Sequence, residues 1–209
     1  MSRLNEYFME KNRLETLIDG IFAIVMTLLV MTVVVPQRET VIQGTGFMGM
    51  MRLKVHDIVN YALSFALLAI FWNQHHEQAH FIKRTNLTHI WINLVMLFFV
   101  ALFPFSTSLV TEFPEQDLAE AMFGLNLFIV GALFLINWIY ATKNRRLVDE
   151  GMSDPNIAFG RNKCIFFMGV ALISILLSQA HPLISADIFW IIPLLVLSEH
   201  WCKKKMKKA

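Results

Sequence analysis

Six apolar stretches alternate with polar connections along the chain, and each is long enough to predict a helix that crosses a bilayer. The predicted spans are about 16–35, 57–74, 89–110, 118–141, 163–180 and 184–201. Residues 37–54 are predicted as a loop, because Gly44, Gly46 and Gly49 would interrupt a helix there. A polar connection from Lys143 to Lys163 carries a turn signal at 153–156. The pattern predicts an all-α integral membrane protein with one six-helix domain, residues 1–209.

The first span differs from an ordinary membrane anchor in its polar content. It follows Asp19, contains Thr27 and Thr32, and ends before Pro36, which cannot continue a helix. Five of its residues share one helical face: Gly20, Ile24, Thr27, Leu28 and Met31. Two interpretations are open. The helix is either a packed one whose threonines bond to their own carbonyls, or one whose polar-containing face lines a pore.

Composition and charge support a membrane protein and set its orientation. The chain is 56% hydrophobic and 16% charged, against ~45–50% and ~25% in soluble domains. A net charge of +2 gives no support to a nucleic-acid partner. Of the 18 Lys and Arg residues, only Arg38, Arg52 and Lys54 lie on the side away from the termini. The positive-inside rule therefore predicts a multi-pass plasma-membrane protein with both termini cytoplasmic, ending in a basic tail at 202–209.

Three blocks of residues carry a resemblance to a known family. They are Arg13-(three)-Leu17-Ile18-Asp19-Gly20-Ile21-Phe22-Ala23-Ile24-(two)-Thr27-Leu28-Leu29; Phe71-Trp72-(two)-His75-His76; and Asn93-Leu94-(two)-Leu97-Phe98-(two)-Ala101-Leu102-Phe103-Pro104-Phe105-Ser106-Thr107. In order and spacing these blocks resemble the prokaryotic members of the transmembrane-protein-175 family of potassium channels. Together with the six spans, the resemblance extends over nearly the whole chain.

The first block departs from the family at one place. The family's Phe-Ser-Asp triplet is Leu17-Ile18-Asp19 in this chain. Ile18 cannot make the hydrogen bond of the serine, so the resemblance implies a different network around Asp19 and Arg13. The nearest donors that the sequence offers are Trp72 and His75, at the cytosolic end of the second span. These four residues, Arg13, Asp19, Trp72 and His75, are candidates for gating or subunit packing; for Trp72, interfacial anchoring is an equal alternative.

The resemblance implies a homotetramer in the lipid bilayer whose central pore is lined by the first helix of each subunit. Ile24 would form the narrowest apolar ring, Leu28 and Met31 would line the same wall, and Thr27 would supply a hydroxyl. The chain has no Thr-Val-Gly-Tyr-Gly sequence for a carbonyl filter. Selectivity would then depend on pore width and dewetting. The expected function is a potassium-selective, weakly discriminating cation channel, with monovalent cations as permeant ions and no cofactor.

Two other classes of function are kept open. His76-Glu77-x-x-His80 matches the His-Glu-x-x-His pattern of zinc metalloproteases, in which the glutamate is the general base. That site needs a third ligand, and the candidates His89, Glu199 and His200 have no recognisable setting, so we expect neither a metal site nor an enzyme. Asp19 and the histidine cluster could instead serve a proton-conducting channel or a proton-coupled transporter.

Overall fold

The computed structural model describes residues 11–35, 46–114, 116–178 and 189–194. This part of the chain is built from α-helices joined by short connections. Those of ten residues or more are α1 Lys11–Leu28, α2 Gly46–Phe81, α3 Leu87–Ala101, α4 Phe103–Glu112, α5 Asp117–Thr142 and α6 Asp154–Ser178. Two 3-10 turns, Leu29–Thr32 and Lys143–Arg145, extend α1 and α5. The all-helical fold class is confirmed.

Five stretches of the described residues are long and apolar enough to cross a membrane. They are Lys11–Thr32, Gly46–Phe81, Leu87–Glu112, Asp117–Arg145 and Asp154–Leu177. They correspond to the first five predicted spans. The sixth predicted span, 184–201, lies mostly outside the described residues, and Pro36 and the tail at 202–209 lie wholly outside them.

The loop prediction for residues 37–54 is wrong from Gly46 onward, where α2 has already begun. Gly46 has a φ of +68°, which glycine adopts without steric cost, so it starts the helix instead of breaking one. At 36 residues, α2 is roughly 54 Å long. The hydrocarbon core of a bilayer is about 30 Å thick, so α2 is either strongly tilted or extends beyond that core.

The connection between the fourth and fifth spans is also shorter than predicted. Residues 154–163 belong to α6, and the turn signal at 153–156 marks the start of that helix. The Ser153 carbonyl accepts the backbone N–H of Asn156 at 3.1 Å. Pro155 lies in the first turn, where an α-helix does not need its N–H groups, so the same residues fit a turn or a helix start.

The third predicted span, 89–110, consists of two helices. α3 ends at Ala101 and α4 begins at Phe103, with Leu102 between them. Pro104 causes the break, because its nitrogen cannot donate to the preceding turn and its ring crowds the carbonyl four residues earlier. The Leu102 N–H bonds to the Phe99 carbonyl instead, at 3.2 Å.

Aromatic side chains from four helices meet at the centre of the subunit. The Phe71 ring stacks on Phe134 with ring centroids 5.5 Å apart, and it meets the rings of Phe103 and Phe167 at 6.2 and 5.7 Å. α5 packs against α3, α4 and α6, whereas α1 and its 3-10 extension pack against α2, α3 and α4 along one buried stripe. This one-sided packing leaves the other side of α1 outside the subunit core.

Two connections are joined at the end of the subunit where α2 and α5 finish. Ile82 and Val148 form an antiparallel bridge, and the backbone N–H groups of Lys83 and Arg84 both donate to the Leu147 carbonyl, at 2.7 and 3.2 Å. Leu147 and Val148 are buried there with Trp138. Trp138 is 2% exposed and donates its indole N–H to the Ile157 carbonyl at 2.9 Å, so it is a core residue and not an interfacial anchor.

Candidate functional site

One face of α1 is buried against the rest of the subunit. Its residues recur every three or four positions and are at most 2% exposed: Leu14, Ile18, Phe22, Val25 and Leu29. This spacing is that of a helix with a single apolar stripe in contact with its neighbours. The stripe fixes the rotation of α1 and thereby determines which residues point away from the subunit.

The residues predicted to line a pore lie on the opposite side of α1. Ile24, Leu28 and Met31 are 59%, 49% and 74% exposed in the single subunit, and Gly20 and Thr27 are exposed with them. We call these five residues the outward face of α1. The Thr27 hydroxyl donates to the Ile24 carbonyl at 2.7 Å. The threonine therefore bonds to its own helix, as the first interpretation of the span predicted, and still lies on the outward face.

Asp19, at the start of the membrane-spanning part of α1, is bonded to α2. Its Oδ1 accepts a hydrogen bond from the Trp72 indole nitrogen at 2.9 Å. The Trp72 ring lies over that of His76, with centroids 6.0 Å apart and planes inclined by 26°. Both residues of the bond are exposed in the single subunit. Residues on the surfaces of two different helices are thus joined through a charged acceptor.

The other two members of the predicted network lie in different surroundings. His75 is 6% exposed, and its ring meets the edge of Phe134 in the core. It also lines a cleft beside Asp19, between the start of α1 and the end of α2. Arg13 is exposed, and the hydrogen bonds and salt bridges found among the described residues do not include it. The structure therefore brings Asp19, Trp72 and His75 together and leaves Arg13 apart.

The two residues of the triplet that differ from the family lie on different sides of α1. Ile18 is fully buried in the core, whereas Leu17 is 39% exposed beside the outward face. Ile18 therefore packs between α1 and the neighbouring helices and does not face the Asp19–Trp72 bond. Leu17 is the member of the pair that a neighbouring molecule could contact.

A cleft of about 330 Å³ separates the start of α1 from the end of α2, and we call it the inner cleft. Five of the residues around it carry carboxyl or imidazole groups: Glu15, Asp19, His75, His76 and His80. Lys11 also lines it and pairs with Glu15 at 3.1 Å. Sequence reasoning did not identify Lys11 and Glu15 as site residues. The intervals of four residues from Lys11 to Glu15 and from Glu15 to Asp19 were the available signal, because they place all three on one helical side.

The His-Glu-x-x-His segment does not form a metal site among the described residues, where no three candidate ligand side chains come together. Glu77 accepts from Lys163 Nζ at 2.6 Å and from the Asn73 amide at 3.0 Å. The ring nitrogen Nδ1 of His89 is 2.8 Å from the Thr85 hydroxyl. Glu199 and His200 lie outside the described residues. Glu77 is therefore engaged in an ion pair rather than placed as a base beside a metal.

A buried chain of amides links three helices near the inner cleft. The Asn93 amide donates to Asn137 Oδ1 at 3.2 Å, and the Asn137 amide donates to Gln78 Oε1 at 3.2 Å. All three side chains are at most 2% exposed. Hydrogen bonds of this kind hold helices together in a membrane, where the hydrophobic effect contributes little to helix association. Only Asn93 had a sequence signal, through the third family block.

Comparison with known proteins gives a consistent result. The family model described as "Endosomal/lysosomal potassium channel TMEM175" matches residues 13–104, which include most of α1 and all of α2 and α3. A potassium channel of Streptomyces collinus is 27% identical over 150 residues, covering 70% of this chain and 71% of that protein. The chain is thus similar to TMEM175 channels over its first three long helices and to a bacterial potassium channel over most of its length. Both findings support the resemblance that the three sequence blocks carry.

Further relatives extend the likeness to a solved structure and to an animal protein. The crystal structure of a Chamaesiphon minutus homologue of the lysosomal potassium-selective channel TMEM175 matches with a TM-score of 0.80 at 23% identity. The aligned region covers 92% of this chain and 98% of that one, so the two proteins share their fold over almost the full length. The bovine endosomal/lysosomal proton channel TMEM175 is 27% identical over 175 residues, which are 78% of this chain and 36% of the bovine protein. These relatives are named as channels, a non-enzymatic class.

Proposed function

We propose that this chain is a TMEM175-type subunit of a homotetrameric, potassium-selective and weakly discriminating cation channel. The observation that carries the proposal is the outward face of α1, which combines exposed apolar side chains with the exposed Thr27 and Gly20. A single outward face cannot enclose a path for ions. Closed rotational symmetry around α1 would turn four such faces into the wall of one pore.

Ile24 is the residue to which we assign the constriction. It lies in the middle of the span and is 59% exposed, so four copies around an axis would form an apolar ring. Such a ring resists ions by excluding water from the narrowest part of the pore. Leu28 and Met31 would continue the wall, and the Thr27 oxygen, which gives its proton to the Ile24 carbonyl, keeps lone pairs for a passing cation.

Ion flux into liposomes that contain the purified protein tests this assignment. We expect Ile24→Ala and Ile24→Asn to raise the flux and to lower the ratio of potassium to sodium flux. Leu176→Ala is the matched control, because Leu176 is an equally apolar residue that is 64% exposed on α6, away from the outward face of α1. If both Ile24 variants conduct like the parent, the constriction is elsewhere, and Leu28 and Met31 are the next positions to change.

Proton conduction is the second candidate function, and the inner cleft supports it. Two carboxyl and three imidazole side chains surround this cleft beside α1, and ionisable groups near a membrane commonly relay protons. The same liposomes under a proton gradient, with potassium replaced by an impermeant cation, measure this activity. We expect proton flux to fall in Asp19→Asn if the cleft carries protons. Absence of proton flux in the parent protein would eliminate this candidate.

The assembly and the orientation are tested separately from conduction. Native mass spectrometry of the purified protein should give the mass of four chains, and a mass of one or two chains would contradict the tetramer. Cysteines introduced at Glu112 and Ser153, in a Cys202→Ser background, report the topology in intact cells. The proposal requires labelling at 112 and protection at 153, and the reverse pattern would place both termini outside.

A further inference from the structure

Two basic segments that are far apart in the sequence meet where α3 begins and α5 ends. Ile82 and Val148 form the antiparallel bridge described above. In that register Arg84 lies opposite Arg146. The Arg84 N–H holds the pairing through its bond to the Leu147 carbonyl at 3.2 Å. Both arginines are exposed, so the bridge places two guanidinium-bearing residues side by side at one end of the subunit.

Arg146 is held in place by its neighbours. Its guanidinium carbon lies 4.6 Å from the centre of the Tyr140 ring, over the ring face, where the ring attracts a cation. The Tyr140 hydroxyl in turn accepts a hydrogen bond from the Asn86 side-chain amide at 3.0 Å. The chain reaches this arrangement through Asn144 and Arg145, whose φ values of +54° and +50° lie in the left-handed region. Backbone strain of this kind is found where a fold positions side chains for a ligand.

The exposed cations at this end of the subunit are not paired with carboxylates. The salt bridges found among the described residues include none of Arg84, Lys143 and Arg146. Arg145, in the same turn, differs from them because it pairs with Asp154 at 3.1 Å. Three positive charges therefore remain available around the Tyr140 ring. We call four residues the basic patch: Arg84, Tyr140, Lys143 and Arg146.

The basic patch lies at the boundary of two membrane-spanning stretches. One begins at Leu87 and the other ends at Arg145. Further into the spans, exposed apolar side chains continue the same surface: Leu87 and Trp91 on α3, and Ile136 and Ile139 on α5. A phospholipid has the same order of groups, with a charged headgroup at the membrane boundary and apolar chains below it. The surface between α3 and α5 therefore matches a lipid molecule in both its charged and its apolar part.

We propose that the basic patch binds the headgroup of one anionic phospholipid in each subunit. Arg146 offers the planar fork of N–H donors that suits phosphate oxygens, and Arg84 and Lys143 add positive charge beside it. Clusters of Lys and Arg next to a span attract anionic headgroups. A zwitterionic headgroup such as phosphocholine carries its own cation and gains less from this patch. The site is built within one subunit and does not require a central pore.

Native mass spectrometry of the purified protein with added lipid tests the basic patch without any measurement of conduction. The probes are the anionic dioleoyl phosphatidylglycerol and the zwitterionic dioleoyl phosphatidylcholine, with glycerol 3-phosphate as a soluble competitor. We expect the parent protein to bind the anionic lipid more tightly. The double variant Arg84→Gln/Arg146→Gln should weaken that binding roughly 20-fold, because each basic residue contributes a factor of about 5. Its binding of phosphatidylcholine should be unchanged. Arg161→Gln, at an exposed arginine of α6, is the matched control and should bind like the parent.

Each outcome of the experiment decides for or against the lipid site. Equal affinities of the parent protein for the two lipids would overturn the proposal, and so would an undiminished preference in the double variant. The single variants Arg84→Gln and Arg146→Gln serve if the double variant does not fold; a full preference in both would also overturn it. An equal loss in Arg161→Gln would show that the preference comes from total charge. Displacement of the lipid by an equal concentration of glycerol 3-phosphate would identify a soluble phosphate as the ligand instead.

Discussion

The most apolar stretches of 18 residues in α1 and α5 have the same mean hydropathy and very different surroundings. Of the most apolar stretch of 18 residues in each helix, 28% is buried in α1 and 50% in α5. α5 has other helices around it, whereas α1 has them along one stripe. Hydropathy therefore identifies both helices as membrane-spanning. It does not distinguish a helix surrounded by other helices of its subunit from one whose second face contacts lipid, water or another subunit.

The polar residues of the two helices follow the same difference. In α5, Asn126 and Asn137 are buried and bonded to side chains of α4 and α2. In α1, Asp19 and Thr27 are exposed. Polar side chains in a membrane either hold helices together or mark a path for polar solutes. The comparison assigns the first role to the asparagines of α5 and leaves the second open for α1.

The largest effect is expected from a truncation in the core around α5. Phe134→Ala removes a ring that is 1% exposed and stacked on Phe71. Because lipid is as apolar as the phenyl ring, the loss of stability comes mainly from lost packing contacts and not from exposure of the ring to water. A cavity of roughly 80–100 Å³ then destabilises the fold by about 2 kcal/mol. Unfolding of the purified protein measures this, with Leu125→Ala as the control, because Leu125 is 50% exposed on the same helix. Equal losses in both variants would remove the distinction between the two sides of α5.

Restoring the family triplet is expected to have the next largest effect, now on the buried stripe of α1. Ile18→Ser leaves a small cavity in the core and places a hydroxyl there, at a cost of about 1–2 kcal/mol in unfolding free energy. Leu17→Phe, at an exposed position, should cost much less. We therefore expect the double variant to keep its oligomeric mass at a lower unfolding temperature, with a changed open probability. A double variant as stable as the parent would mean that the core around Ile18 repacks without loss.

Asp19→Ala should have a smaller effect on the subunit, because the bond from Trp72 lies at an exposed position. The loss of one such hydrogen bond costs about 1 kcal/mol. Asp19→Asn keeps an acceptor for the indole N–H, so its stability should lie closer to that of the parent. Unfolding and ion flux are measured together. An Asp19→Ala protein that assembles, unfolds and conducts like the parent would show that the aspartate is a solvated residue at the membrane boundary.

The smallest effect is expected from Glu77→Gln, which lies outside both compared helices. Its ion pair with Lys163 joins side chains that are 44% and 20% exposed, and exposed pairs contribute about 0.2–1 kcal/mol. Folding and ion flux should therefore be nearly unchanged. Metal analysis of the parent protein separates this from the protease hypothesis. Stoichiometric zinc that is lost in His76→Ala, with peptide cleavage abolished by Glu77→Gln, would establish an enzyme instead.

Much of the fold could be predicted from the apolar stretches, because a helix needs about 20 mainly apolar residues to cross a bilayer and such stretches are visible in the sequence. The errors occurred at the ends of helices, where the same residues allow two structures. Gly46 was interpreted as a breaker and begins α2, and Pro155 was assigned to a turn and lies in the first turn of α6. Near Pro104, the break between α3 and α4 has a local cause that hydropathy alone does not register.

The candidate site was predictable to the extent that it depends on one helix. The shared face of Ile24, Leu28 and Met31 follows from spacing, and these residues are exposed together. Contacts between helices far apart in the sequence could not be derived in the same way. The basic patch depends on the bridge between Ile82 and Val148, and the amide chain through Asn137 needs the positions of three helices at once. Ile18 illustrates the same limit, since its burial depends on where α2 and α3 lie.

The pairing of the two connections at the ends of α2 and α5 has a consequence for proteolysis. Lys83 and Arg84 are adjacent basic residues in a loop, a sequence that trypsin-like proteases cleave readily in flexible chains. A protease must draw several residues into an extended conformation, and exposed loop tips normally allow this. Here both backbone N–H groups are held by the Leu147 carbonyl, and Ile82 and Val148 are buried beneath them. Cleavage at this dibasic sequence would require the paired connections to separate first, so the rate of digestion reports how often the subunit opens at this end.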